Sequence, residues 1–445
     1  MTSDGVLDAI VADDRVDRCL DGEAVVGAML DFEAALARAC ATAGLIPSDA
    51  ATAITAAATS RPVRAVALAE RTALGGTPVI PLVEDLTAAV GAEHARWVHF
   101  GATSQDTLDS ALAVLSRRVT GIITADLRAA ATSCADLAQA EAATPIVGRT
   151  LGQHAQPTSF GLKAAGWCVS LWRAHDGIRV AAHDLAVQLG GAVGTLASFD
   201  GHGLDIAAAV AADLGLTAPT LPWHTERSRV LRLAAALGEV CAAWSKVAAD
   251  VLTLAQTEIA EVSEATPGGG RSSAMPHKRN PAVAMSIRAG ALRAPGLVGT
   301  LFAAAAQENE RSAGGWQAEW WTLRELLRVA GAVAARGAAL MGVLVIDRAR
   351  MDANLHLTGG LILSERLATA LTPSLGRLRA QAVVRELSER VTTSGRSLRD
   401  VAGDDDRVRA AVSPADLDRL LDPAAAVGEA TALVERALAV HREHR

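Results

Sequence analysis

The segment Pro267–Pro281, which reads PGGGRSSAMPHKRNP, is the most informative part of the sequence. Its three successive glycines allow the backbone to approach another molecule closely. Two serines follow, and then the side chains of His277, Lys278, Arg279 and Asn280. Such a loop can close over an anion and place a hydroxyl beside it. The spacing differs from that of a P-loop, so the motif does not predict a nucleotide-phosphate site.

A lysine at position 278 is unusual for this chain. Only Lys163, Lys246 and Lys278 occur, and arginine supplies the rest of the positive charge. The alternative interpretation of the loop is a surface linker whose basic residues are solvated.

Two other segments, His99–Asp109 and Gly148–Gly161, are too polar and too rich in glycine to lie inside a helix. In the first, the hydroxyls of Thr103 and Ser104 precede a long helical stretch. Hydroxyls at a helix start can bind a carboxylate together with free backbone N–H groups. They can also cap the helix, with Asp106 completing the cap.

The second segment contains Gln153 and His154 ahead of Pro157. Proline is common in the first turn of a helix, so the next helix is expected to start at Pro157. An imidazole at position 154 has a suitable pKa range for proton transfer near neutral pH.

Three long stretches must position these segments. Thr103–Thr144 has no proline and one glycine, Arg227–Thr266 has no proline, and residues 282–345 are interrupted by Pro295. The second stretch has an apolar seam spaced by fours and threes, which is typical of long, near-parallel helices. The seam residues are Leu233, Leu237, Val240, Trp244, Val247, Val251 and Leu254.

Composition agrees with an all-α chain. Among 445 residues only 3% are aromatic and none is Tyr, while Ala, Leu, Arg and Glu are abundant, which favours helices over strands. The distribution of helix-breaking residues along the chain predicts three domains. These are residues 1–100 with short helices, 101–350 with the long helices and the loop 267–281, and 351–445 with short helices again.

Charge and cysteine content exclude several classes of protein. A net charge of −7 argues against nucleic acid as a partner. Charged residues interrupt the apolar runs and no leader precedes one at the N-terminus, so we expect a soluble cytoplasmic protein without a membrane partner. The five cysteines form no CxxC pair and no metal-ligand spacing occurs, so no metal or cofactor is expected.

The string SSAMPHKRNP resembles the signature loop of the fumarase/aspartase superfamily. The strings GATSQDTLD at 101–109 and GRTLGQHAQPTSFGLKAAGW at 148–167 resemble the first and second regions of that family, and the three occur in family order. The resemblance implies a three-domain all-α fold with a central bundle of long helices. It also implies a homotetramer whose active sites are shared between subunits.

Within the superfamily, HFGATSQD, LGGAVGTLASF, PWHTERSR and ERSAGGWQAEWWTL resemble the 3-carboxy-cis,cis-muconate cycloisomerase branch, as does TPVIPLV at 77–83. That branch implies lactone closure of a small anionic polycarboxylate in protocatechuate breakdown, the β-ketoadipate pathway of aromatic hydrocarbon catabolism. Residues 75–98 contain no His-Asp pair and the chain has no Tyr, and both points argue against adenylosuccinate as the substrate.

The resemblance also implies roles for particular residues. Ser272 would remove the proton α to a carboxylate as an alkoxide, with Ser273 as the rival for that role, and His154 would be the general acid. Substrate carboxylate contacts would come from Thr103, Ser104, Gln153, Lys278, Asn280 and Arg311, with Arg227 as a further candidate.

One position departs from the family pattern, because Arg271 stands where the loop normally has glycine. This leaves open a β-elimination lyase acting on another dicarboxylate, of the nitrosuccinate or adenylosuccinate type. A non-catalytic helical scaffold, like the lens crystallins of this superfamily, is the third hypothesis. The intact Ser272, His154, Lys278 and Asn280 argue against it.

Overall fold

The computed structural model describes residues 5–444, which are mostly helical. The helices are α1 Asp14–Leu20, α2 Gly22–Thr42, α3 Ser48–Thr59, α4 Ala65–Gly75, α5 Val79–Val90, α6 Ser104–Ala140, α7 Phe160–His183, α8 Gly203–Leu214, α9 Ser228–Leu254, α10 Ala282–Ala291, α11 Ala294–Ala304, α12 Gly315–Val343, α13 Arg348–His356, α14 Ser364–Leu375, α15 Arg377–Ser394, α16 Leu398–Gly403, α17 Asp406–Arg409, α18 Pro414–Leu420 and α19 Ala430–Glu443. The strands are β1 Pro145–Thr150, β2 Gln153–Ser159, β3 Val262–Glu264 and β4 Leu344–Ile346.

The long stretches form helices as expected. The 37 residues of α6 fill most of the first stretch, and all seven seam residues of α9 are buried. Pro295 separates α10 from α11, as expected, and lies in the first turn of α11. A second interruption, between Ala304 and Gly315, was not anticipated.

Helix α9 ends earlier than expected, at Leu254 rather than near Thr266. No proline or glycine marks this end. The chain turns through Ala260, which has a φ of 51°, and continues into β3. The carboxylate of Glu261 is fully buried and bonds Arg149. A partner more than a hundred residues away therefore fixes the conformation of this segment.

The segment Gly148–Gly161 is a β-hairpin and not an irregular loop. Strands β1 and β2 pair antiparallel, and Leu151 and Gly152 both have positive φ at the turn, as in two-residue hairpin turns. Pro157 lies within β2 opposite Val147, so the expectation that it starts the next helix is wrong. Helix α7 starts at Phe160 instead.

The chain forms two compact units, and α6, α7, α9, α10 and α12 each contribute residues to both. The first unit comprises residues up to Leu127, Arg173–Lys246 and Ser286–Ala338, and the second comprises Arg128–Trp172, Val247–Met285 and Ala339 onward. The division into three domains at residues 100 and 350 stays a prediction.

Helix α12 is long and apolar enough to span a membrane by length and composition, although 56% of its most apolar stretch is buried inside the protein. Core helices of globular proteins share that composition. Helix α12 therefore carries no argument for a membrane.

A buried ion cluster lies in the first unit. The Arg227 guanidinium is 2% exposed and donates to Asp109 Oδ2 at 2.8 Å and to Glu319 Oε1 at 3.1 Å. The Trp316 indole N–H also donates to Asp109 at 2.9 Å. Burial raises the pKa of Glu319, and Arg227 opposes that shift. Because its charge is committed to these two carboxylates, Arg227 is not the substrate contact that the sequence suggested.

We predict that Arg227→Met lowers the free energy of unfolding by about 3–5 kcal/mol, because it leaves two buried carboxylates without their cation. Denaturant unfolding at a fixed protein concentration measures the loss. Arg232→Gln is the control, since Arg232 pairs with Asp184 at a half-exposed site, where about 1 kcal/mol or less is expected. Equal losses in both variants would contradict the assignment of Arg227 to the core.

Candidate active site

The start of α6 is fixed by the buried carboxylate of Asp106. This side chain accepts hydrogen bonds from the backbone N–H groups of Thr103 at 3.0 Å, Gly190 at 3.0 Å and Gly191 at 2.9 Å. It also pairs with His224 Nε2 at 2.7 Å. Of the predicted helix cap, the part made by Asp106 is confirmed, because its carboxylate reaches back to the residue just before the helix; no capping bond to the Thr103 or Ser104 hydroxyl occurs among residues 5–444. Four donors hold one carboxylate, so the preceding loop has a defined conformation.

Thr103 and Ser104 lie at this helix start and are half-buried. Arg311 reaches the same place: its Nε donates to Gln105 Oε1 at 3.2 Å and an Nη donates to the Ala192 carbonyl at 3.1 Å. Two hydroxyls, the positive end of a long helix and a half-buried guanidinium therefore lie together in the first unit. This combination favours a carboxylate or another small anion.

The hairpin of the second unit presents Gln153 and His154. Gln153 is exposed at the start of β2, and His154 is half-buried opposite Arg149 in the register of the two strands. The Arg149 guanidinium bonds both carboxylate oxygens of Glu261, each at 2.8 Å. Asn354 donates a further bond to Glu261 at 2.8 Å. This network anchors the strand that faces His154.

The same network affects the imidazole electrostatically. Burial lowers the pKa of His154 below its usual value, the positive charge of Arg149 lowers it further, and Glu261 partly opposes both. These effects favour the neutral imidazole. Its Nδ1 is buried and has no hydrogen-bond partner among residues 5–444. A neutral imidazole can donate a hydrogen bond without transferring a full proton.

The signature loop is closed at its base by Glu264. The Glu264 carboxylate accepts from the first-turn N–H groups of α10, from Val283 at 2.9 Å and from Ala284 at 2.8 Å. One side chain therefore joins the two ends of the loop and caps the helix that follows. At the neck of the loop the Gly270 carbonyl accepts from Asn280 N at 2.7 Å. A Cβ on Gly270 would lie 2.1 Å from the Asn280 carbonyl oxygen, so this close approach requires glycine.

Within the loop, the Ser272 hydroxyl oxygen accepts from two backbone N–H groups, Met275 at 3.0 Å and Ala274 at 3.3 Å. Donors aimed at an oxygen stabilise negative charge on it. Ser273 is exposed, and no hydrogen bond to its hydroxyl occurs within the described part of the chain. The surroundings of Ser272 therefore suit an alkoxide better than those of Ser273.

The positive groups of the loop face solvent. Lys278 is exposed, and no carboxylate among residues 5–444 lies within ion-pair distance of it. Asn280 is half-buried and donates its amide to the Gly270 carbonyl at 3.2 Å. It lines a cavity of about 310 Å³, which is large enough for a small polycarboxylate.

The candidate residues thus fall into two groups. The first unit brings together Thr103, Ser104 and Arg311, and the second unit contains the hairpin and the signature loop. Sequence reasoning missed Glu264 and Glu261, which anchor the loop and the hairpin. No local signal marks them, because a carboxylate that caps a helix about twenty residues later matches no capping motif.

No group of three or more His, Cys, Asp or Glu side chains is arranged to hold a metal ion in the part of the chain that the structure describes. All five cysteines are free thiols, and four of them are buried.

Two family models match the chain. One is described as lyase and matches residues 4–296, and the other is described as adenylosuccinate lyase C-terminus and matches residues 360–437. Together with the full-length relatives below, these matches show that the chain belongs to the fumarase/aspartase superfamily of lyases.

Relatives from two activities align over nearly the whole chain. A 3-carboxy-cis,cis-muconate cycloisomerase of Pseudomonas aeruginosa is 46% identical over 93% of this chain and 91% of its own length. A nitrosuccinate lyase of Streptomyces davaonensis is 43% identical over 98% of this chain and 94% of its own length. The crystal structure of 3-carboxy-cis,cis-muconate lactonizing enzyme from Pseudomonas putida is 40% identical, has a TM-score of 0.93 and covers 98% of this chain and 99% of its own.

We predict that Glu264→Ala opens the signature loop, because both hydrogen bonds at its base are lost. Limited trypsin digestion should cleave the loop several-fold faster, at Arg271, Lys278 or Arg279. The free energy of unfolding should fall by about 1 kcal/mol, as is usual for a lost helix cap.

Asp347→Ala is the matched control, since Asp347 caps α13 through Arg350 N at 2.9 Å and lies outside the loop. It should cost similar stability without exposing the loop to trypsin. If both variants are digested at the same rate, Glu264 does not hold the loop.

Proposed function

We propose that this protein closes 3-carboxy-cis,cis-muconate to 4-carboxymuconolactone by intramolecular addition of a carboxylate to a double bond. The observation that carries the proposal is the Ser272 hydroxyl, which is held by two backbone N–H donors within a loop whose Lys278 has no ion-pair partner among residues 5–444. The cycloisomerase relative and the lactonizing-enzyme structure support it.

The chemistry requires a group that moves a proton at a carbon next to a carboxylate. In the forward direction one substrate carboxylate oxygen bonds to a double-bond carbon, and the π electrons move to the neighbouring carbon and its carboxylate. That carbon then takes a proton. In reverse, Ser272 as an alkoxide removes this proton, so by microscopic reversibility its hydroxyl donates it in the forward direction. The two N–H donors lower the cost of the alkoxide.

His154 acts on the other reacting atom, the oxygen of the carbon–oxygen bond that forms or breaks. A carboxylate is a weak base and needs no full proton when it leaves. A neutral imidazole that donates a hydrogen bond is sufficient, which agrees with the lowered pKa of His154.

The remaining candidates hold the substrate carboxylates. Lys278 and Asn280 contribute from the signature loop, Gln153 from the hairpin, and Thr103, Ser104 and Arg311 from the start of α6. No metal or other cofactor takes part in this scheme.

A second candidate function is β-elimination from nitrosuccinate. The Streptomyces davaonensis relative, which aligns over 98% of this chain, favours it. Nitrite, like a carboxylate, is a weakly basic leaving group, so the same Ser272 and His154 could serve either reaction. Adenylosuccinate has less support, because residues 75–98 contain no His-Asp pair and the chain has no Tyr.

We further propose a cytoplasmic homotetramer whose three-domain subunits share their active sites. Glu261 anchors the hairpin and Glu264 anchors the loop. The two residues are three positions apart along an extended segment, which separates their Cα atoms by about 10 Å. No hydrogen bond joins residues 145–159 to residues 267–281 in the described chain. A second subunit can bring the hairpin and the loop of different copies together.

Purified protein should convert 3-carboxy-cis,cis-muconate to its lactone, followed as loss of diene absorbance. Ser272→Ala should reduce kcat/KM by about 100-fold or more, because it removes the proton-transfer group. Nitrite release from nitrosuccinate and turnover of adenylosuccinate are measured in parallel. Turnover of nitrosuccinate alone would transfer the protein to the second function, and turnover of none of the three would favour the non-catalytic scaffold.

Mixed tetramers test the shared site. His154→Ala and Ser272→Ala should each be nearly inactive, because every site lacks either the imidazole hydrogen-bond donor or the proton-transfer hydroxyl. When the two variants are unfolded and refolded together, some sites should regain both groups and activity should reappear. Each variant refolded alone is the control. Hybrids that form but stay inactive would mean that both residues act from one subunit or that one role is wrong.

A further inference from the structure

Arg271 and Arg279 lie directly opposite each other in the signature loop. Their backbones form an antiparallel bridge, so the two side chains leave on the same face. The neighbouring contact between Gly270 and Asn280 holds the two chain segments in this register. Two like charges placed opposite each other are destabilising unless something compensates them.

No carboxylate among residues 5–444 lies within ion-pair distance of either guanidinium. Both arginines are exposed and line the cavity of about 310 Å³ inside the loop. In the described part of the chain the acidic side chain that lines it is Glu264, whose carboxylate accepts from the N–H groups of Val283 and Ala284. The hydroxyl oxygen of Thr266, another lining residue, is buried without a hydrogen-bond partner among these residues. The cavity is therefore positive and contains an unused hydrogen-bonding group.

A guanidinium pair of this kind fits a carboxylate, because the planar fork of arginine donates two parallel hydrogen bonds to two oxygens. The substrate of the proposed function has three carboxylates. One carboxylate supplies the ring oxygen of the lactone, and a second is attached to the carbon that takes the proton. The third, on the carbon where the ring closes, takes no part in bond making.

We propose that Arg271 is a specificity-determining residue: together with Arg279 it binds this third carboxylate and selects tricarboxylates over dicarboxylates. The inference rests on the proposed function for the identity of the ligand.

The test compares propane-1,2,3-tricarboxylate with pentanedioate, which differ by the central carboxylate alone. Calorimetry measures the affinity of both for the wild-type protein and for Arg271→Gln, which removes the charge and keeps the side-chain length. The variant should lose about 10-fold or more in affinity for the tricarboxylate, the range of a hydrogen bond to a charged group. Its affinity for the dicarboxylate should change by less than about 3-fold.

Arg385→Gln is the matched control, because Arg385 is an exposed arginine on α15 outside the loop. It should change neither affinity. If Arg271→Gln weakened the affinity for both ligands equally, Arg271 would contribute only general positive potential, and the proposal would be overturned. Unchanged binding of the tricarboxylate would overturn it too.

The calorimetric measurement needs no turnover, so it separates this inference from the proposed function. If the wild-type protein converts none of the three substrates yet Arg271→Gln still loses selectivity, the function is wrong and the subsite stands. If the protein converts 3-carboxy-cis,cis-muconate and Arg271→Gln keeps the preference for the tricarboxylate, the subsite alone is wrong.

Discussion

Both groups of candidate residues depend on one constraint, which is that a buried carboxylate must receive hydrogen bonds. The Asp106 carboxylate at the start of α6 shows it. A buried carboxylate is costly unless donors surround it, and Asp106 receives three backbone N–H groups and an imidazole. Glu261 in the second unit is satisfied by Arg149 and Asn354, and Glu264 by the first turn of α10. Each of these acids fixes a segment with a candidate residue to a regular element.

The charged side chains that stabilise the fold are therefore different from those that are candidates for binding a ligand. The anchoring carboxylates are buried or half-buried and fully engaged, and Arg149 and Arg227 are engaged with them. The cations of the signature loop are exposed and have no such partners within the described chain. The hydrogen-bonded carboxylates fix the backbone. The cations of the signature loop are not needed for that purpose, so they can bind a negatively charged ligand.

The sequence predicted the features that depend on local pattern. The seam of α9, the length of α6 and the break at Pro295 follow from periodicity and proline chemistry, and they are confirmed. The wrong predictions share a different cause. The early end of α9 and the core position of Arg227 depend on partners roughly a hundred residues away, which no window of sequence contains.

The hairpin shows the same limit in another form, because Pro157 is equally compatible with a helix start and with a strand whose register shifts beside it. Motif strings identified His154 and Ser272 as candidates, but the motifs cannot give the protonation state of either. Burial and the charge of Arg149 across the hairpin lower the pKa of His154, and the Ser272 hydroxyl oxygen accepts from the N–H groups of Ala274 and Met275 within the loop.

In the proposed mechanism, a neutral imidazole and a stabilised alkoxide together define the reactions that the site can perform. The alkoxide can move a proton at carbon, whereas the imidazole gives a leaving group little more than a hydrogen bond. Leaving groups that are weak bases, such as carboxylate or nitrite, need no more than this. The two activities among the relatives share that property, so His154 and Ser272 do not discriminate between them. Discrimination must come from groups that recognise the rest of the substrate, and Arg271 and Arg279, which line the cavity of the signature loop, are such groups.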